Sequence, residues 1–299
     1  MTRPSKAEHS KPRPKIVRRG RDRAQKSLDL IAAMYAAAEA AHPITGRGIG
    51  YKLFTQGLIP SMSRANMQSV YRLLKEGRES GDIPWDFIVD ETRELKRAAS
   101  WSNPAEYVEA VGRSYRRDFW LQQPDRVEVW SEKGTVRGVL QPVRDEHGVG
   151  FRAVHGFSSA TMAYDVCNNE SERPLIILYV GDYDPSGMFM SKCDLPARFS
   201  KYGGAHVTLK RIALTLKQSA GLPSFPAIDK KDDTRYSWFI KHYGKKCWEL
   251  DALDPNDLRS IVEEAIADEI EPIAWKRCAI VEKAEKESLR TVLDRWGAP

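Results

Sequence analysis

Residues 175–180 (Leu, Ile, Ile, Leu, Tyr, Val) form an apolar run that stops at two carboxylates, Asp182 and Asp184, followed by Pro185 and Gly187. A run this short and this rich in β-formers reads as a strand buried on both faces. Pro185 and Gly187 then break the strand and turn the chain. A strand covered on both faces belongs to a parallel sheet with layers on either side, which limits this part of the chain to an α/β architecture. The aspartates stand at the carboxyl end of a central strand, where open α/β sheets place their ligands. Carboxylates two residues apart suit a hard, oxygen-seeking cation such as Mg2+; the plainer alternative is a solvated turn that caps the next helix.

About fifty residues upstream, Val127, Val129 and Trp130 mark a second strand, and Glu132, Lys133 and Gly134 follow it. The pattern between the two sites predicts a short helix over 135–140, a strand over 150–154 and a helix over 158–166. Beyond Gly187 it predicts a helix over 188–199 and a strand over 206–209. Alternation at these lengths implies parallel strands joined by crossovers. Glu132 can then converge with Asp182 and Asp184 at one sheet edge as a three-carboxylate metal site.

A Glu at one strand end and an Asp-x-Asp one crossover later is the signature of the Toprim domain. Within that group the chain resembles the A subunit of topoisomerase VI and its relative, the meiotic double-strand-break protein. The resemblance implies Mg2+ at Glu132, Asp182 and Asp184, with Lys133 as a DNA contact or as the partner of a neighbouring carboxylate. The family also carries an upstream winged-helix domain with a nucleophilic tyrosine four residues after an arginine. Arg47 and Tyr51 match that spacing, which puts them on one face of a helix. Gly50 stands where the family commonly has a first tyrosine, and the glycines at 46, 48 and 50 weaken a helix by up to about 1 kcal/mol each. By the resemblance Tyr51 is the nucleophile and Arg47 stabilises charge beside it.

The surroundings of Tyr51 fit a DNA-binding unit. Residues 27–41 predict a helix with the apolar stripe Leu28, Ile31, Met34 and Tyr35. Ser63 caps a third helix over 64–78, with Met67, Val70, Leu73 and Leu74 on its apolar side. Its Arg64, Arg72, Lys75 and Arg78 are candidate phosphate contacts, or simply a solvated face. Residues 81–90 read as a turn and a short β-ribbon, with Pro84 suited to an edge. Three helices and a ribbon is the winged-helix order.

The expected organisation is therefore a basic tail over 1–26, a mostly α winged-helix domain over 27–100, a helical linker over 101–125 and a Toprim-type parallel-sheet α/β domain over 126–299 with a C-terminal helical extension. The chain of 299 residues carries a net charge of +6, and that charge is unevenly spread. Residues 1–26 hold ten Lys/Arg against two acidic residues, whereas the remaining 37 basic and 39 acidic residues leave a balance of −2. Such a tail cannot bury a core and adds salt-sensitive attraction to DNA. There is no signal-peptide core and no apolar run of about 18 residues. The four cysteines are scattered with no Cys-x-x-Cys, which fits a reducing cytoplasm and argues against zinc or a disulfide framework.

Asn103 and Pro104 predict a helix start, with the helix reaching about Asp118. Residues 221–227 read as a loop, and Asp254 and Pro255 as the start of a long helical tail to Trp296. Asp251 and Asp254 read as local caps. Glu249 and Asp251 are left outside the metal site, and Tyr236, Trp238, Phe239 and Tyr243 are assigned to core.

Three functions fit these residues. The first is cleavage of double-stranded DNA through a 5′-phosphotyrosyl bond on Tyr51. For it the resemblance implies a homodimer, in which the tyrosine of one protomer meets the metal of its partner, and a separate ATPase subunit. This chain has no Gly-x-x-x-x-Gly-Lys-Ser/Thr phosphate loop of its own. The second is hydrolysis with Tyr51 as a structural residue, and the third is DNA binding without turnover.

Overall fold

The computed structural model describes residues 25–89, 100–154, 160–168 and 173–296. The basic tail over 1–24 lies outside the described residues.

Helix α1 (Gln25–Ala41) buries Ile31, Met34, Ala37, Ala38 and Ala41. Leu28, expected on that stripe, is exposed; small alanines carry the contact instead and let neighbouring helices approach. A two-residue strand β1 (Ile44–Thr45) leads into α2 (Gly46–Thr55), which carries Arg47 and Tyr51. The three glycines do not prevent this helix because they are where it is packed most closely. A Cβ on Gly50 would lie 2.5 Å from Met67 Sδ and 3.3 Å from Met62 Cε. The space beside position 50 is filled by side-chain tips of Met62 and of Met67 from the next helix, α3 (Arg64–Ser80). Helix α3 buries Met67, Val70, Leu73 and Leu74 as expected, but Ser63 makes no side-chain capping bond.

The expected β-ribbon is corrected. Residues 85–87 form a single 3-10 turn, and strand β2 (Ile88–Val89) pairs in parallel with β1 rather than folding back on itself. Residues 90–99, where a returning strand would run, lie outside the described residues.

Helix α4 (Pro104–Ser114) is capped by Asn103, whose side chain accepts from the Glu106 amide at 2.9 Å. It ends four residues before Asp118. The main sheet follows: β3 (Arg126–Ser131), helices α5 (Val136–Val139) and α6 (Gln141–His147), β4 (Gly150–Ala153), α7 (Ala160–Cys167), β5 (Leu175–Val180), α8 (Pro185–Phe189), a π-turn over Met190–Asp194, α9 (Leu195–Lys201) and β6 (Val207–Ala213). The four strands are all parallel in the order β4-β3-β5-β6. All six residues of β5 are buried. Ile176, Leu178 and Val180 face one core together with Val127 and Val129; Leu175, Ile177 and Tyr179 face the other with Trp130. The protein is thus mixed α/β with layers on both faces of a parallel sheet, as the apolar run implied.

Downstream, β7 (Phe225–Pro226) pairs antiparallel with β8 (Lys246–Cys247) around helix α10 (Tyr236–Tyr243). Phe239 is fully buried, and Tyr236, Trp238 and Tyr243 pack against the same core. The C-terminal tail is two helices, α11 (Pro255–Ala267) and α12 (Pro272–Trp296), because Pro272 restarts the chain after a turn. Asp254 caps α11 as expected, accepting from the Asn256 amide at 2.7 Å. Helix α4 packs against α12, and Tyr115 just after α4 donates to Glu285 at 2.7 Å. The four cysteines are free thiols. Among the described residues no helix is long and apolar enough to cross a membrane.

Candidate active site

Strand register brings the acids together. Ser131, the last residue of β3, lies beside Val180, the last of β5, so Glu132 and the Asp182–Asp184 turn emerge at the same carboxyl edge. The Asp182 amide donates to Glu132 Oε1 at 3.1 Å. A Cβ on Gly187 would meet Glu132 Oε1 at 2.9 Å and the Asp182 carbonyl oxygen at 2.4 Å, so only glycine lets the turn close over Glu132. Asp184 caps α8, accepting from the Gly187 amide at 2.8 Å, and its other oxygen lies 3.3 Å from Lys230 Nζ. It serves as the helix cap and also stands in the cluster.

Two residues set aside in the sequence belong here. The backbone of Trp248 pairs with that of Tyr183 through two hydrogen bonds, of 2.9 and 3.0 Å. The following segment therefore runs beside the Asp turn. The Leu250 amide donates to Asp182 Oδ1 at 2.7 Å. Asp251, read as a local cap, instead accepts from the Thr45 hydroxyl at 2.7 Å and from Lys133 at 2.8 Å. Lys133 Nζ is also 2.8 Å from Asp182 Oδ1. Its ammonium is held between two buried carboxylates instead of projecting toward solvent as a DNA contact would. Burial opposes its charge, but Asp182, Asp251 and Glu249 outweigh that and hold it well above the usual lysine range.

Arg211 of β6 was not singled out in the sequence, where it is one arginine in a strand of mixed burial. It donates to the carbonyls of Gly181 (2.7 Å), Asp182 (2.6 Å), Gly187 (3.0 Å) and Leu214 (3.2 Å), and to Ser191 Oγ (2.9 Å). It staples the backbone that presents the aspartates.

Helix α2 lies across this edge in the same chain. Arg47 forms a two-pronged ion pair with Glu249, and Lys52 pairs with Asp254. The Tyr51 residue is 5% exposed. Burial, then Glu249, pushes its phenol well above the ordinary tyrosine range, while Arg47 and Lys133 pull the other way. Arg47 also lies 6.0 Å from the Tyr51 ring centroid.

A cleft of ≈ 920 Å³ opens beside these groups, reaching from Lys133, Asp182, Glu249 and Asp251 to α3. Lys75 and Arg78 line it; Arg64 and Arg72 do not, and Arg72 pairs with Glu76 at 2.8 Å.

The donor set fits Mg2+ by its chemistry: three carboxylates follow the carboxyl ends of two adjacent strands, and among the described residues Glu132 accepts at Oε1 and Asp182 at Oδ1 alone, while Lys230 at one oxygen of Asp184 stands where a cation would. Burial, then Asp182 and Asp184, raises the Glu132 carboxyl to about 7, and burial and Asp182 raise Asp184. This is the mutual repulsion that a bound cation relieves. The three acids are not drawn into a tight group, since Lys133 and Lys230 stand against them. Among the described residues, the three candidate ligands with donor atoms within 4.8 Å of one another are Glu146, His147 and Glu263. His147 precedes β4, so that group stands by the opposite, amino edge of the sheet, and both of its carboxylates are exposed.

The Glu132 shift has a consequence for stability. A carboxyl with a raised folded pKa keeps a proton that the unfolded chain has released, so stability falls as pH rises between the two values. In EDTA the protein should therefore lose up to about 3 kcal/mol of stability between the ordinary 4.5 and about 7. Urea denaturation across that range checks this: Glu132→Gln should flatten the slope, and an unchanged slope would separate it from Glu132.

Comparison with known proteins finds no matching family model and no matching curated sequence.

Proposed function

We propose that this chain is a DNA-cleaving enzyme of the winged-helix and Toprim type, acting on double-stranded DNA through Tyr51. The observation that carries the reading is the convergence of Glu132, Asp182 and Asp184 at the carboxyl edge of two adjacent central strands, with the Tyr51 helix laid across the same edge. Mg2+ held by those three residues supplies charge withdrawal from the phosphate and stabilisation of the departing oxygen.

In this reading Tyr51 Oη passes its proton to water and attacks phosphorus, and the departing 3′-oxygen takes a proton from water as it leaves. The bond to the 3′-oxygen breaks, leaving a 5′-phosphotyrosyl ester and a 3′-hydroxyl. The aryl ester conserves the bond, so rejoining consumes no nucleotide. Arg47 neutralises charge at the phosphate once DNA competes it away from Glu249. A phenol this buried does not react where it stands. Helix α2 has to lift from residues 249–254, breaking the Arg47–Glu249 and Lys52–Asp254 pairs. The homodimer and the separate ATPase subunit implied by the resemblance provide the means for such a movement and stay part of the proposal.

The burial of Tyr51 favours a second reading, in which water is the nucleophile and Tyr51 is structural. Incubation with supercoiled plasmid and Mg2+, quenched with detergent with and without protease, separates the two. Covalent transfer predicts protein-linked 5′ ends that vanish in Tyr51→Phe, with a loss on the order of 10³-fold or more. Protein-free nicks that persist in Tyr51→Phe would establish hydrolysis instead.

A further inference from the structure

We propose that the cleft beside the acidic edge binds an unpaired stretch of DNA, stacking bases on Trp85 and Tyr71 and holding phosphates with Lys75 and Arg78. The inference rests on the DNA-directed reading above and adds to it the form in which DNA enters.

Two large aromatic side chains from different segments line this one cleft. Trp85, in the turn after α3, is 58% exposed, and Tyr71 of α3 is 43% exposed. Neither closes a core, and open aromatic faces beside cationic groups are the means by which single strands are held without regard to sequence. Arg78 is already posed for this. Its guanidinium lies 4.3 Å from the Trp85 ring centroid, and Nη2 donates to the Trp85 carbonyl at 3.3 Å, so the cation is fixed beside the ring.

Charge is divided along the cleft. Lys75 and Arg78 stand at the aromatic end, Lys75 in a solvent-exposed pair with Glu79 at 3.6 Å that a phosphate would have to displace. At the other end Asp182 and Asp251 are bridged by Lys133, and Glu249 is paired with Arg47. Two cations thus offset all but one of the three negative charges that would repel a phosphate at that end. At ≈ 920 Å³ the space falls in the range of small-ligand pockets, up to about 1,000 Å³. It has room for a few nucleotides of one strand. A strand seated there runs from the aromatic platform toward the carboxylate edge.

The test is fluorescence anisotropy with dye-labelled oligonucleotides of equal length, single-stranded and blunt duplex, in EDTA and at one fixed salt concentration, so that cleavage plays no part. The full-length protein is expected to bind the single strand about ten-fold more tightly than the duplex. Trp85→Ala should lose about ten-fold on the single strand and less than about two-fold on the duplex, and Trp85→Phe should restore most of the loss. Tyr71→Ala, a second exposed position, should act in the same direction. Equal affinity for both DNA forms, or equal weakening of both by Trp85→Ala, would overturn this inference while leaving the DNA-directed reading in place. A protein that binds neither form overturns both.

Discussion

Asp182→Asn is expected to lower Mg2+-dependent DNA cleavage by on the order of 10²–10³-fold while leaving the fold intact. Asparagine keeps an acceptor for the Leu250 amide, so the antiparallel contact between the Asp turn and the 248–251 segment survives. Lys133 loses one of its two partners and keeps Asp251 at 2.8 Å. Against that loss, one of the charges that crowd Glu132 and Asp184 is removed, so those carboxyls fall back toward their ordinary range. The two effects oppose each other, and the change in stability should stay within about 1 kcal/mol. Plasmid cleavage and urea denaturation on the same preparation check both halves. Asp184→Ala should abolish cleavage as well, at an added cost of about 1 kcal/mol for the lost cap on α8. Wild-type cleavage in either variant would remove the acids from the chemistry.

Arg211→Met carries the largest expected cost in stability of any substitution, about 1–3 kcal/mol. The guanidinium is the shared donor for the carbonyls of Gly181, Asp182 and Gly187; Gly181 keeps the Leu214 amide at 2.9 Å and Gly187 the Ser191 hydroxyl at 3.0 Å, so the loss falls mainly on the Asp182 carbonyl, and methionine fills the volume without replacing that bond. Each carbonyl left without a donor costs about 1–3 kcal/mol when buried. Arg211→Lys should recover only part of the loss, because a single ammonium cannot span the fork of acceptors. Because the stapled backbone is the one that carries Asp182 and Asp184, cleavage should fall together with the denaturation midpoint. A variant with native stability would mean that these carbonyls find other donors.

The sheet and its acidic edge were legible because they are local. Residues 175–180 announce a doubly buried strand, and parallel register alone then sets Glu132 beside Asp182. Helices α1, α2 and α3 follow in the same way from short-range spacing. What escaped depends on contacts distant in sequence. Asp251 looks like a cap for the helix after it, and only the pairing of Trp248 with Tyr183 turns it toward Lys133 and Thr45. Arg211 has no neighbouring pattern, since four of its five acceptors are backbone carbonyls and three of those belong to the distant turn over 181–187. Gly50 looks like a defect in a helix until Met67 is seen packed against it. Residues 81–89 carry turn and strand formers, but the partner of the short strand among the described residues is β1, more than forty residues upstream. The helix expected from 188 begins at Pro185, where Asp184 caps it, and passes through a π-turn before α9.

An anomalous difference map from crystals soaked in Mn2+ decides whether Glu132, Asp182 and Asp184 hold one divalent ion at the carboxyl edge of the sheet. A single strong peak is expected about 2.0–2.3 Å from oxygens of these three residues, with Lys133 withdrawn toward Asp251. A peak only at Glu146, His147 and Glu263, or none at the acidic edge, would contradict it.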